Sequence, residues 1–183
     1  VRPVRNMTSR QRVLASLARQ PIDRVPRLLY EEVIGYTPPI EQLLRVHCAP
    51  RPPREYFDMD LTRVTFAPTQ LSRERFRPWL GEPAEEALAS GRVDEWGVWR
   101  RPGDFHHFVR IESPLRGPFD DRRFADYPWP DLDQAARFAA VPGQVVDWHR
   151  AGLAVTGYAG SVFERAWSIR GFEDLMEDLL HAP

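Results

Sequence analysis

Apolar residues along this 183-residue chain fall into an alternating order: helix, strand, helix, strand, hairpin, helices, strand, helices. That order predicts an α/β fold whose parallel strands are joined by helical crossovers. Only about three core strands are visible, whereas a closed (β/α)8 barrel takes eight strands and typically about 250 residues. The chain is too short to close such a ring.

Thr8-x-x-Gln11 is a capping-box pattern, and Val13, Leu14, Leu17 and Ala18 follow on one helical face, so a helix is predicted over residues 9–19, stopped by Pro21. Asp23-Arg24-Val25-Pro26 leads into Leu28-Leu29-Tyr30, short enough for a buried strand, with Glu31 and Glu32 at its C-terminal end. A second helix is expected over residues 39–47, a proline-rich loop over 49–54 and a strand over 63–67. Residues 93–113 carry two β-rich runs around Pro102-Gly103-Asp104, which predicts an inserted antiparallel hairpin. Tyr127-Pro128-Trp129-Pro130-Asp131 reads as a rigid loop whose Asp131 caps a helix running to about Ala140. Beyond it, a short helix is expected over 144–150, a strand over 153–157 and a helix over 163–169. Phe172, Leu175, Met176, Leu179 and Leu180 then form one apolar stripe, with Glu173, Asp174, Glu177 and Asp178 opposite.

With 25 basic and 26 acidic side chains the net charge is -1, which excludes binding to nucleic acid or to an anionic membrane by charge alone. No stretch approaches the roughly 20 apolar residues of a membrane helix. The single Cys48 excludes an intrachain disulfide and a cysteine-only metal site, so a reducing, cytoplasmic setting is expected. There is no lysine, which removes Schiff-base catalysis and the phosphate-loop lysine. Met7 reads as an alternative start, with residues 1–6 expected to be disordered or upstream of it.

Three stretches resemble the uroporphyrinogen decarboxylase superfamily, which includes corrinoid-dependent methyltransferases. Met7-Thr8-Ser9-Arg10-Gln11-Arg12-Val13-Leu14 with Asp23-Arg24-Val25-Pro26 is similar to the family's N-terminal helix and its approach to the first barrel strand. Asp94-Glu95-Trp96-Gly97-Val98-Trp99, with Tyr127-Pro128-Trp129-Pro130-Asp131 after it, resembles a signature of the decarboxylase-like paralogues. Gly157-Tyr158-Ala159-Gly160-Ser161 through Arg170-Gly171-Phe172-Glu173-Asp174-Leu175 looks like a strand-turn-helix segment of the family. The resemblance implies that residues 1–183 are the N-terminal half of one (β/α)8 barrel, with residues 93–113 as a hairpin insertion. Such a half-barrel would leave a parallel edge strand bare, which favours a dimer or a second chain that completes it.

In the haem-pathway decarboxylases, the resemblance implies, an arginine-rich loop after the first strand clamps substrate carboxylates, and an aspartate after a later strand stabilises charge on the pyrroles. The matching loop here, Tyr30 to Pro38, holds Glu31 and Glu32, which would repel a polycarboxylated tetrapyrrole. Residues 63–69 end without a carboxylate, Asp60 precedes its strand, and the family's later tyrosine is matched by Ser168, or by Trp167 in a slipped register. These departures favour a corrinoid-linked methyltransferase paralogue over the decarboxylase. A non-catalytic half-barrel completed by a partner is the third alternative. Methyltransferase relatives hold zinc in their C-terminal half, so zinc and a corrinoid protein are expected of the full-length enzyme and no metal of this chain, which alone is expected to be inactive.

Tyr30, Glu31, Glu32, Tyr36 and Tyr158 are the candidate substrate-binding residues, for a small molecule or a tetrapyrrole or corrinoid. Strand ends on the C-terminal side of a barrel line its site, which suits Glu31 and Glu32, although a solvated loop is the ordinary place for both. Tyr158 could face a cleft or pack its ring in the core. His47-Cys48 is adjacent rather than ligand-spaced. His106 and His107 would point to opposite faces of a strand and read as a solvated hairpin edge. Trp96, Trp99, Trp129 and Trp167 read as packing anchors.

Overall fold

The computed structural model describes residues 6–28, 36–103, 109–158 and 160–181. Among them the chain is mixed α/β, with two small sheets and no closed barrel. It divides into two units, residues 1–67 with 138–158 and residues 68–137 with 159–183.

In the first unit, Thr8 caps helix α1 (Ser9–Leu17). Its Oγ1 accepts from Gln11 N at 3.2 Å while Gln11 Oε1 accepts from Thr8 N at 3.0 Å, the reciprocal pairing that the spacing predicts. Helices α2 (Pro38–Cys48) and α3 (Pro53–Tyr56) follow, each with a proline in its first turn, where the missing N–H costs nothing. Strand β1 spans Leu61–Arg63, two residues upstream of the expected start. Beyond it Val64 N still reaches Thr156 O, but the backbone of Thr65 is taken by the amide of Gln144, which ends the ladder early.

The partner of β1 is β4 (Ala154–Thr156), and the two run parallel with Leu61 opposite Ala154, Thr62 opposite Val155 and Arg63 opposite Thr156. The helix α7 (Val141–Arg150) leads into β4, and α1 packs against it, with Arg10 N donating to Gly152 O at 2.8 Å. The helix expected from Asp131 to Ala140 is absent. Asp131 accepts from Asp133 N in a local turn, and only a single 3-10 turn, Ala135–Arg137, forms before α7. Of the expected strand at Leu28 to Tyr30, only Leu28 lies within the described residues.

The second unit is built around Phe76, Ala87, Val93, Val98, Trp99, Leu115, Tyr127 and Ile169. Short helices α4 (Arg77–Leu80) and α5 (Ala84–Ala89) precede an antiparallel pair, β2 (Trp99–Pro102) with β3 (Val109–Glu112). The first β-rich run is mostly a turn rather than a strand. Asp94 Oδ1 accepts from Trp96 N at 2.8 Å and Val98 N at 3.1 Å, and Gly97 sits at φ +75°. A side chain at position 97 would strike the Phe76 ring and the Tyr127 hydroxyl, so this close approach requires glycine.

Helix α6 (Asp121–Ala125) is capped by Asp120. Helices α8 (Val162–Arg170) and α9 (Phe172–His181) meet at Gly171, at φ +97°. Arg170 fixes that corner by donating to Leu115 O at 2.7 Å, Gly117 O at 2.6 Å and Asp178 Oδ2 at 2.6 Å. The apolar stripe of α9 buries no residue, and Leu180 is 78% exposed.

Candidate functional site

Parallel strands aim their carboxyl ends at one side of a sheet, and ligands in α/β folds bind there. In the first unit that end is formed by Arg63 on β1 and by Thr156 on β4, with Tyr158 just beyond. The Arg63 guanidinium lies over the Tyr158 ring, 5.2 Å from its centroid. Gln144 and Trp148 stand four residues apart on α7 and so share one face of that helix. Gln144 reads the backbone of Thr65 with both ends of its amide, accepting from Thr65 N at 3.0 Å and donating to Thr65 O at 3.2 Å. Trp148 carries the Arg54 guanidinium over its ring at 4.8 Å.

Together Arg54, Thr62, Arg63, Thr65, Gln144 and Trp148 line an open cleft of about 320 Å³. Its lining has two cations, two hydroxyls, an amide and an indole, and no carboxylate. Such a set can bind and orient an oxyanion, since guanidinium groups make bidentate pairs with carboxylate and phosphate.

No protein-family model matches the chain, and neither a curated protein nor a solved structure does. The site therefore rests on its own geometry. Of the residues expected there, Tyr158 stands beside Arg63, and its ring is 45% exposed rather than packed in a core. Tyr36 lines a different cleft of about 480 Å³ with Glu41, Arg45 and Arg51. Tyr30, Glu31 and Glu32 lie outside the described residues, as do His106 and His107. His47 is exposed and meets Tyr56, 3.3 Å from ring nitrogen to hydroxyl, while the adjacent Cys48 is buried. Ser168 is buried and donates to Arg165 O at 2.9 Å, and Trp167 packs edge-on against Phe172. Trp99 is a core anchor, whereas Trp129 is 39% exposed. Among the described residues, no group of three or more His, Cys, Asp or Glu could hold a metal ion.

A second polar constellation lies at the opposite, amino end of β1. Asp60 is fully buried and accepts from the side chains of Arg12 and Arg24, and from Arg27 N at 2.8 Å. Arg12 also donates to Asp23 Oδ2 at 2.8 Å and to Met7 O at 2.8 Å. Burial works against charge on Asp60, but the Arg27 amide, Arg24, Ser9 and Arg12 outweigh it and hold its carboxyl below the usual range. Asp23 is held well below that range, chiefly by its hydrogen bonds from Arg12. Every charge here is neutralised by another, so the group is a joint between α1, the segment after Asp23 and β1. The sequence offered one sign of it: an aspartate between the apolar Met59 and Leu61.

Proposed function

We propose that this chain is the N-terminal part of a uroporphyrinogen decarboxylase superfamily enzyme, an incomplete (β/α)8 barrel nearer the corrinoid-linked methyltransferases. Its small-molecule site would lie at the carboxyl end of β1 and β4. The observation carrying this reading is the parallel register of those strands, with α7 leading into β4 and a polar cleft at their carboxyl end. Asp60 N also donates to Arg27 O at 2.9 Å, directly before the run from Leu28 to Tyr30 that the family reading assigns to the first barrel strand. Zinc and a corrinoid would supply the methyl-transfer chemistry in the full-length enzyme. The described residues hold no cluster fitted to zinc, so no step through it is assigned to this chain.

The decarboxylase is the second reading, supported by Arg54 and Arg63 lining one cleft. Against it, the Arg24 side chain is committed to Asp60, and Arg27 donates to Asp60 through its backbone and to Phe57 O through its side chain. A half-barrel completed by a partner chain is the third. Calorimetric titration of the chain with methylcobalamin and, separately, with uroporphyrinogen tests all three. Saturable corrinoid binding alone supports the first reading, and uroporphyrinogen binding with release of carbon dioxide replaces it with the second. Binding of neither, together with a stable dimer on size-exclusion chromatography, replaces it with the third.

A further inference from the structure

The cleft at the carboxyl end of β1 and β4 has an uncommon balance of charge for so neutral a protein. Its two arginines, Arg54 and Arg63, arrive from different elements, α3 and β1, and face the same space. Each is laid against an aromatic ring, Arg54 on Trp148 at 4.8 Å and Arg63 on Tyr158 at 5.2 Å. Stacking fixes the plane of a guanidinium without consuming its in-plane donors, of which each group has five. Arg54 also gives one long bond, 3.4 Å, to Leu61 O. Planar donors held by rings lose less rotamer entropy when a ligand binds than the same side chains loose in water.

The rest of the lining points the same way. Thr62 and Thr65 contribute small polar groups, and the Gln144 amide pins the Thr65 backbone, so the rim at that point is set by two hydrogen bonds. The nearest acidic neighbour on α7, Asp147, is 72% exposed and paired with Arg150 at 3.0 Å, away from the Gln144 and Trp148 face. About 320 Å³ of open space is room for a small molecule or for one acidic arm of a larger one.

From these features we infer that the cleft binds an oxyanion, a carboxylate or phosphate group of a small molecule, between Arg54 and Arg63. This deepens the proposed function by naming the charge class of the ligand, and it rests on the same placement of the site at the strand ends. The anion accepts in-plane hydrogen bonds from both guanidinium groups, while Trp148 and Tyr158 hold those groups from behind.

The test is a titration of the uniformly nitrogen-15-labelled full chain, followed through its indole and arginine side-chain signals. Inorganic phosphate and succinate serve as separate probes, with sodium chloride at matched ionic strength as reference. The expected result is a saturable shift of the Trp148 indole and the Arg54 and Arg63 signals with one probe or both, in the millimolar range or tighter, and no comparable shift with chloride. The more strongly bound probe names phosphate or carboxylate as the source. Arg63→Gln and Arg54→Gln should each weaken binding tenfold or more, while Arg150→Gln leaves it unchanged. Because Arg54→Gln could disturb folding, Arg63→Gln is judged only with a Trp99 indole signal and a melting curve matching the unsubstituted chain. No saturable shift with either probe, an equal response to chloride, or an intact Arg63→Gln response overturns the inference. Anion binding without any corrinoid or tetrapyrrole response would instead remove the family reading and leave this one standing.

Discussion

Asp60 is the residue whose loss the fold tolerates least. Its carboxylate is completely buried and neutralises Arg12 and Arg24 at once, so Asp60→Asn leaves buried guanidinium charge without compensation. A loss of about 3 kcal/mol or more is expected, read as a lower urea midpoint. The same residue sets a pH dependence. Asp60 and Asp23 both titrate lower in the folded protein than the ordinary carboxyl value of about 3.9. As the pH falls between the two values the unfolded chain binds more protons than the folded one, so stability is complete above about pH 5 and declines below about pH 4. Urea midpoints measured down the acid range should show that decline, and Asp23→Asn should make it shallower. At Gly97 the argument is steric instead: alanine there combines a left-handed backbone with a clash against Phe76 and Tyr127. Its expected cost is about 2–4 kcal/mol, checked by thermal melting.

Among the elements, those fixed by local chemistry were legible. The Thr8 capping box announced α1, and Thr8→Ala should cost about 1 kcal/mol, measured by urea unfolding. Proline in the first turn marked α2, which the sequence placed within one residue at either end. Illegible elements were those decided by side chains reaching across the chain. Asp94 captures the amides of Trp96 and Val98, turning an apparently extended Val93 to Trp99 run into a tight bend. Asp131 was read as a helix cap because the same side chain serves a cap and a local turn, and nothing nearby in sequence separates them. The cleft was half visible: Tyr158 was named, but Gln144 and Trp148 became partners of β1 only through a bond spanning 79 positions. Such pairings leave no periodic trace.

On the scale of the whole molecule, the two units have different interiors. The second packs Phe76, Trp99 and Tyr127 around Val98 and Ile169, while the first buries smaller apolar side chains, Val13, Cys48, Met59, Val64 and Ala154, beside the ionic joint. Large aromatics contribute more burial energy than small aliphatics, so the first unit should be the less stable. Native-state hydrogen exchange should find the amides of Val64 and Ala154 exchanging faster than that of Val98. Asp60→Asn should widen that gap. The joint at the amino end of β1 has one more property, which follows from its cations all being guanidinium. Acid can discharge its carboxylates, but alkali cannot strip a proton from Arg12 or Arg24 at any pH a folded protein survives. The lock has a key on one side only, and a lysine in either place would have cut a second.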